Sequence, residues 1–184
     1  MQGVDALKLL LSDLHDRHVG LTPALAASLT EQAVVCLSKY HESPVEFLVT
    51  NGGGCKAYAV DFSKPNDLML NAYANDIDAT ENGAYGVSLA AVEAEARLVA
   101  VRRAETLTGA DWYVAPIGTT AVDLESCFRL EVSGTGAGDQ TRIKTKLREK
   151  VEQTKRGASN LPAIAAVVGF KELTVAIEQV SDEK

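Results

Sequence analysis

Apolar residues recur every three or four positions in four segments of the chain, and this spacing predicts helices. The segments are Val4–Leu14, Pro23–Tyr40, Thr80–Ala96 and Gln140–Arg156. The second helix has a hydroxyl residue, Thr22, directly before a proline in its first turn, which is a common start for a helix. The sequence therefore predicts the start of the second helix at Pro23.

Shorter apolar runs, bounded by turn residues, predict strands. The first pair surrounds Asn51-Gly52-Gly53-Gly54, whose residues tolerate positive φ, and it predicts a hairpin. The run Leu161–Gly169 is apolar on both alternations, as expected of a strand that is covered on both faces. The polar stretch Ser63–Ala79 is interpreted as a connection. The predicted strands are Val45–Thr50, Cys55–Asp61, Leu98–Ala104, Ala110–Pro116, Ser126–Ser133, Leu161–Gly169 and Leu173–Val180.

With 184 residues, the chain is long enough for one domain with a sizeable core. The order of elements predicts an α/β domain, with a central mixed sheet flanked by helices. Residues 1–80 form a helical and hairpin extension in this interpretation, and residues 81–180 form the core.

Composition narrows the class of protein. The chain is 46% hydrophobic and 23% charged, and its apolar runs fall short of the roughly 20 residues that span a bilayer. The first residues lack the basic leader of an export signal. The three cysteines have no paired-ligand spacing, which favours buried, reduced thiols over structural zinc. We therefore expect a soluble cytoplasmic protein without membrane contact.

The net charge of −7 argues against nonspecific binding of nucleic acid by the whole surface. The helix Gln140–Arg156 is nevertheless basic, with only Glu149 and Glu152 opposing its cations. An apolar stripe at positions 143, 147 and 151 would pack on a sheet and leave the basic side chains outside. A solvated helix face is the alternative. The cations are Arg142, Lys144, Lys146, Arg148, Lys150, Lys155 and Arg156.

Two acidic residues stand in apolar, strand-like surroundings. Asp111 opens the run Asp-Trp-Tyr-Val-Ala-Pro, and Glu131 lies in Cys-Phe-Arg-Leu-Glu-Val-Ser. Burying an ionised carboxylate is costly, so each needs a compensating charge. A divalent cation would supply it. Exposure to solvent, or pairing with an arginine at position 102, 103 or 129, is the alternative.

From Glu81 onward the predicted order is helix, three strands, helix, strand, with Asp111 at the start of the second strand and Glu131 near the end of the third. This order resembles the core of the PD-(D/E)xK nuclease superfamily over residues 81–180. The resemblance implies a restriction-endonuclease-like fold and a metal-dependent nuclease that cleaves nucleic acid. It also implies Mg²⁺ as cofactor, held by Asp111, Glu131 and a glutamate of the first core helix, for which Glu81 and Glu93 are the candidates.

The chain departs from the family pattern at Ser133, where the family usually has a catalytic lysine two positions after the second acidic residue. The resemblance implies that a lysine of the following helix, Lys144, Lys146 or Lys150, takes this role, or that a different residue serves at this position as in some members. Of these, Ser133 and Lys146 are assigned to the catalytic set. Arg142, Lys144 and Lys150 are then expected to contact the nucleic acid, since basic side chains hold phosphates.

Two other interpretations stay open. The serine at position 133 and the acidic net charge also fit a non-catalytic nuclease-fold subunit or regulatory partner in a nucleic-acid or defence assembly. Such a subunit would form a homodimer or bind another protein. The second interpretation is that the glycine-rich segment Ser133–Asp139 is a phosphate-binding loop, although the spacing of its glycines differs from that of the known loops. Trp112 and Tyr113 would stack on a base or, as is commoner for strand aromatics, belong to the core.

Overall fold

The computed structural model describes residues 6–105, 108–119, 124–156 and 159–180. They form an α/β fold with a seven-stranded mixed sheet. Within these residues, no helix is long and apolar enough to cross a membrane. The helices are α1 (Leu14–Arg17), α2 (Pro23–Ser38), α3 (Asp67–Ala72), α4 (Asp76–Ala96) and α5 (Gln140–Lys155), and the strands are β1 (Val45–Asn51), β2 (Gly54–Val60), β3 (Leu98–Arg103), β4 (Trp112–Pro116), β5 (Phe128–Thr135), β6 (Ala163–Gly169) and β7 (Thr174–Val180).

The strand order across the sheet is β2-β1-β7-β6-β5-β4-β3. Strands β3, β4 and β5 form an antiparallel meander, and β6 pairs in parallel with β5. Because parallel neighbours need a crossover, α5 connects β5 to β6 across one face of the sheet. Strand β7 pairs antiparallel with β6 and parallel with β1, so it joins the β1–β2 hairpin to the other strands.

The predicted order of elements from residue 81 onward is confirmed. The hairpin is confirmed too, with Gly52 and Gly53 at φ 55° and 87° between β1 and β2. Thr22 caps α2 as predicted, because its hydroxyl accepts a hydrogen bond from Leu25 N. Local signals, namely caps, glycine turns and apolar period, were sufficient for these elements.

The predicted helix Val4–Leu14 is wrong over residues 6–13, and only its last residue, Leu14, is helical. The chain is extended there and adds to the edge of β2, with hydrogen bonds from Leu9 N to Ala59 O and from Ala59 N to Leu7 O. Leu7 and Leu10 are exposed, whereas Leu9 and Leu11 are buried. The leucines therefore anchor an edge segment, and only Leu14–Arg17 turns into a helix.

The same N-terminal segment also reaches the opposite edge of the sheet. Gly20 N donates to Ala100 O of β3, and His18 Nδ1 accepts from Ala100 N. In a flat sheet of seven strands the two edges would be roughly 29 Å apart. The few residues between Leu9 and His18, which include a helical turn, are too short for that distance. The sheet is therefore curled, with its edges brought toward each other.

The interpretation of Ser63–Ala79 as a connection is wrong in part. Helix α3 and the first turn of α4 lie within it. Two of its polar residues are helix caps: Asn66 Oδ1 accepts from Met69 N, and Asn75 Oδ1 accepts from Ile77 N. Some of the polar residues in this stretch are therefore there because they accept hydrogen bonds from the free N–H groups at the start of a helix.

Helix α4 is buried along most of its length, packed between α2 and the sheet. Two glycines allow backbones to touch. A Cβ on Gly83 would lie 2.9 Å from Ala33 N of α2, and one on Gly134 of β5 would lie 2.5 Å from Thr80 O of α4. These contacts fix the depth of α4 against its neighbours.

Helix α5 covers the other face of β6. Its predicted apolar stripe is confirmed: Ile143 and Leu147 pack on Val167, and Val151 packs on Ala163 and neighbouring residues. Of the cysteines, Cys36 and Cys127 are buried as expected, but Cys55 is exposed in the hairpin.

The contact between Gly134 and Thr80 predicts a specific cost. We expect Gly134→Ala to lower the free energy of unfolding by about 1–3 kcal/mol, because the new methyl group meets the backbone of α4. Gly136→Ala is the matched control, since its Cβ would have no neighbour closer than 3.7 Å. Urea unfolding of both variants measures the difference. Equal stability of the two variants would contradict this account.

Candidate functional site

A cleft of about 600 Å³ lies between the α2–α4 side of the molecule and α5. Asp111, Ser133 and Lys146 line it, together with Glu81 and Tyr85 of α4. The meander brings Asp111 beside β5, because Asp111 N donates to Leu130 O. The sequence thus places acids from a helix and a strand end, and lysines from a second helix, around one opening.

Asp111 is held by hydrogen bonds to both of its carboxylate oxygens. Oδ2 accepts from Val132 N at 2.8 Å, and Oδ1 accepts from the Tyr85 hydroxyl at 2.9 Å. The same hydroxyl lies 2.9 Å from Glu81 Oε1. Tyr85 therefore stands between the two carboxylates and brings them to one side of the cleft.

The Tyr85 hydroxyl has one proton for two carboxylates. Burial raises the pKa of Tyr85 above its ordinary value, and the negative charge of Asp111 acts in the same direction. The phenol therefore stays protonated, yet it can donate to only one acceptor at a time. The carboxylate that does not receive this proton, either Glu81 or Asp111, then has its oxygen 2.9 Å from the hydroxyl oxygen of Tyr85 without a proton between them. A nearby cation would stabilise this arrangement of oxygens.

Arg103 supplies a cation on the other side of Tyr85. Its guanidinium stacks over the Tyr85 ring at 4.5 Å and over the Trp112 ring at 5.0 Å, and Nη2 donates to the Tyr85 hydroxyl at 3.2 Å. It lies 3.9 Å from Asp111 Oδ1, so one of the expected arginine partners is present. Trp112 and Tyr113 are both buried in the core.

Glu131 is paired with a lysine of α5. The carboxylate is almost fully buried, and Lys150 Nζ donates to Oε1 at 2.6 Å. Burial raises the pKa of Glu131; Asp111 also raises it, and Lys150 opposes both. Its partner is therefore a lysine, and not Arg102, Arg103 or Arg129 as considered from the sequence.

Ser133 also has a lysine beside it. Lys146 Nζ donates to Ser133 Oγ at 3.2 Å, and burial together with the nearby Arg142 lowers the pKa of Lys146. The pairs Lys146–Ser133 and Lys150–Glu131 follow from the geometry of the two elements. Two residues along a strand span about 6.8 Å, and four residues along a helix span about 6 Å. The spacing of the two lysines on α5 is therefore close to the spacing of Glu131 and Ser133 on β5.

Of the other expected site residues, some line the cleft and others lie away from it. Arg142 and Lys150 line the cleft, but Lys144 is exposed on α5 and is not among the lining residues. Glu93 lies about 18 Å further along α4 than Glu81. It accepts from Arg17 Nε at 2.9 Å and contacts His18 Nε2 at 3.2 Å. Glu93 therefore fixes the N-terminal segment and is not brought to the cleft.

The glycine-rich segment Ser133–Asp139 has a packing explanation. Its first three residues belong to β5, and Gly134 contacts α4. Gly138 N donates to Thr135 Oγ1, and a Cβ at Gly138 would collide with that hydroxyl. The glycines thus serve a close turn into α5.

Sequence reasoning missed Tyr85 and Arg103 as members of the site. The apolar spacing makes Tyr85 one more position of the helix Thr80–Ala96, although it follows Glu81 at the i, i+4 spacing that lets two side chains meet. Arg103 was considered only as an ion-pair partner. Its stacking on two aromatic rings depends on β3 and β4 pairing, which the sequence pattern does not encode locally.

In the part of the chain that the structure describes, no three His, Cys, Asp or Glu side chains converge closely enough to form a metal-binding group by themselves. Comparison with protein-family models, curated proteins and solved structures found no match. The site must therefore be interpreted from its own chemistry.

The burial of Glu131 predicts a pH dependence. A carboxyl group with a raised pKa in the folded state contributes stability that is fully present below its ordinary pKa of 4.5. That contribution is lost as the pH rises through the folded-state pKa. We therefore expect wild type to lose stability relative to Glu131→Gln between acidic and neutral pH.

Unfolding in urea across that pH range measures the effect. Glu149→Gln removes an acidic charge from the exposed surface of α5 and controls for the change in net charge. Parallel stability curves for wild type and Glu131→Gln would show that burial does not perturb Glu131.

Proposed function

We propose that this chain is a metal-dependent nucleic-acid phosphodiesterase, a nuclease of the PD-(D/E)xK type. The observation that carries the proposal is the position of Lys146. Its ammonium group lies 3.2 Å from the hydroxyl of Ser133, the position where the family pattern has lysine. Lys146 of α5 thus supplies a cation beside Ser133, which itself has none.

The architecture supports a restriction-endonuclease-like core. Helix α4 is followed by the antiparallel meander β3–β4–β5, and α5 crosses to the parallel strand β6. Asp111 precedes the second of these strands and Glu131 lies in the third. This is the arrangement that the resemblance implies.

The residues fit a magnesium ion through their oxygen donors. Magnesium keeps several water molecules and is commonly held by only one or two carboxylates, so the absence of a three-acid group in the described residues is compatible with it. Asp111 and Glu81 are such a pair, since the Tyr85 hydroxyl lies 2.9 Å from one oxygen of each. Glu131, compensated by Lys150, would support the site from within the sheet.

A bound magnesium ion would stabilise negative charge on a phosphate and lower the pKa of a coordinated water molecule. The chain's own residues would do the remaining work. Arg142 and Lys146 present positive charge to a phosphate in the cleft. Arg103 would hold Tyr85 in place.

One observation favours the non-catalytic alternative. Lys150 already compensates Glu131, so part of the acidic site is balanced without a metal ion. In a non-catalytic subunit that acts as a regulatory partner, the Lys150–Glu131 pair would stabilise the buried carboxylate and no metal ion would be required.

Cleavage assays separate the two proposals. Purified protein is incubated with labelled single- and double-stranded DNA and RNA in Mg²⁺ or Mn²⁺. We expect cleavage that falls by about 100-fold or more in Asp111→Asn and in Lys146→Met, because each removes a charge from the reacting site. Lys155→Met, an exposed lysine of the same helix, is the matched control.

Cleavage that survives Asp111→Asn would indicate a contaminant. Absence of cleavage in every condition would favour the non-catalytic subunit.

A second prediction concerns Tyr85. Tyr85→Phe keeps the ring under Arg103 but removes the hydroxyl that joins Glu81 and Asp111. We expect Mn²⁺ or Mg²⁺ to bind roughly 10- to 100-fold more weakly, as for other residues that orient metal ligands. Isothermal titration calorimetry measures the affinity.

Tyr73→Phe is the matched control, because it removes a phenol–carboxylate hydrogen bond to Glu31 elsewhere in the fold. Unchanged affinity in Tyr85→Phe would remove Tyr85 from the site.

A further inference from the structure

The outer wall of the cleft carries apolar side chains beside cations. Tyr40, just after α2, lines the cleft with 40% of its surface exposed, and Ile77 at the start of α4 is 77% exposed. Lys39 lies next to Tyr40 and pairs with Asp76. An exposed aromatic ring beside basic residues is the combination that binds unpaired bases.

Tyr40 stands on a fixed support. The following residue, His41, donates from Nε2 to Phe170 O and Lys171 O, at 3.0 and 3.1 Å. Phe170 N in turn donates to Thr135 O, and Lys171 N to Gly136 O, at the end of β5. The wall with Tyr40 and the wall with Ser133 are thus connected through one turn, so their spacing is set before a ligand arrives.

The opposite wall supplies charge for a phosphate backbone. Among the described residues, neither Arg142 nor Lys146 lies within ion-pair distance of a carboxylate. Both line the same cleft as Tyr40. Their charges are therefore available to an anionic ligand, and phosphate groups are suited to both.

The volume of the cleft favours a single strand of nucleic acid over a duplex. A cleft of about 600 Å³ has the size of sites that take small molecules. A base can lie on an aromatic ring only when it has left the stack of a double helix. A duplex would have to remain at the rim.

We propose that the cleft binds an unpaired stretch of nucleic acid, with a base stacked on Tyr40 and the adjoining phosphates held by Arg142 and Lys146. This inference rests on the proposed nuclease function and specifies its substrate as single-stranded, either as a free strand or as an unpaired end. Lys146 thereby serves both the strand and the reacting phosphate.

Fluorescence anisotropy with a labelled oligonucleotide, as a single strand and as the matching duplex, tests the proposal. Binding is measured in EDTA and again in Ca²⁺, separately from the cleavage assay. We expect tighter binding of the single strand, and a loss of about 5- to 150-fold in Tyr40→Ala, the range for one base–aromatic stack. Tyr40→Phe retains the ring and should bind as wild type.

Leu68→Ala, at an exposed position of α3 that does not line the cleft, is the matched control and should bind as wild type. Thermal unfolding checks that each variant is folded. Tighter binding of the duplex, or unchanged affinity of Tyr40→Ala for the single strand, would overturn the inference. Cleavage without dependence on Tyr40 would leave the nuclease function standing, whereas Tyr40-dependent binding without cleavage would support the substrate class alone.

Discussion

The close packing of α4 against both α2 and the sheet is the constraint on which the rest of the molecule depends. Gly83 lets α4 touch the backbone of α2, and Gly134 lets it touch β5. Since interiors are close-packed, a shift of one methyl group would propagate along the helix. Glu81 and Tyr85 project from this helix toward Asp111. The position of the carboxylates is therefore a consequence of backbone contact in the core.

Charge compensation around the cleft is divided between two elements. Arg103 of β3 serves the Asp111–Tyr85 side, and α5 supplies both Lys150, which pairs with Glu131, and Lys146, which donates to Ser133. Because strand and helix rise by similar amounts over two and four residues, one face of α5 can serve two positions of β5. Cations on this face of the helix can thus reach successive side chains on one face of the strand.

Much of the second half of the fold could be predicted from the sequence because its elements follow one another and carry local signals. Asp111, Glu131 and Lys146 can be named as candidates from the sequence for the same reason. The N-terminal leucines do not form the predicted helix because their hydrogen-bond partner, Ala59, lies far away in the chain. Tyr85 and Arg103 were missed because their roles arise from strand pairing and helix packing, which no local pattern records.

The position of β7 has a consequence for the order in which the molecule forms. This strand, the last one described, lies between β1 and β6. The early hairpin β1–β2 therefore keeps an unpaired edge until residues 174–180 are available. Pairings between distant parts of a chain form slowly, and open strand edges promote association with other chains meanwhile. The hairpin therefore joins strands β3–β6 only through residues 174–180, so the two parts of the sheet are united by its last described strand.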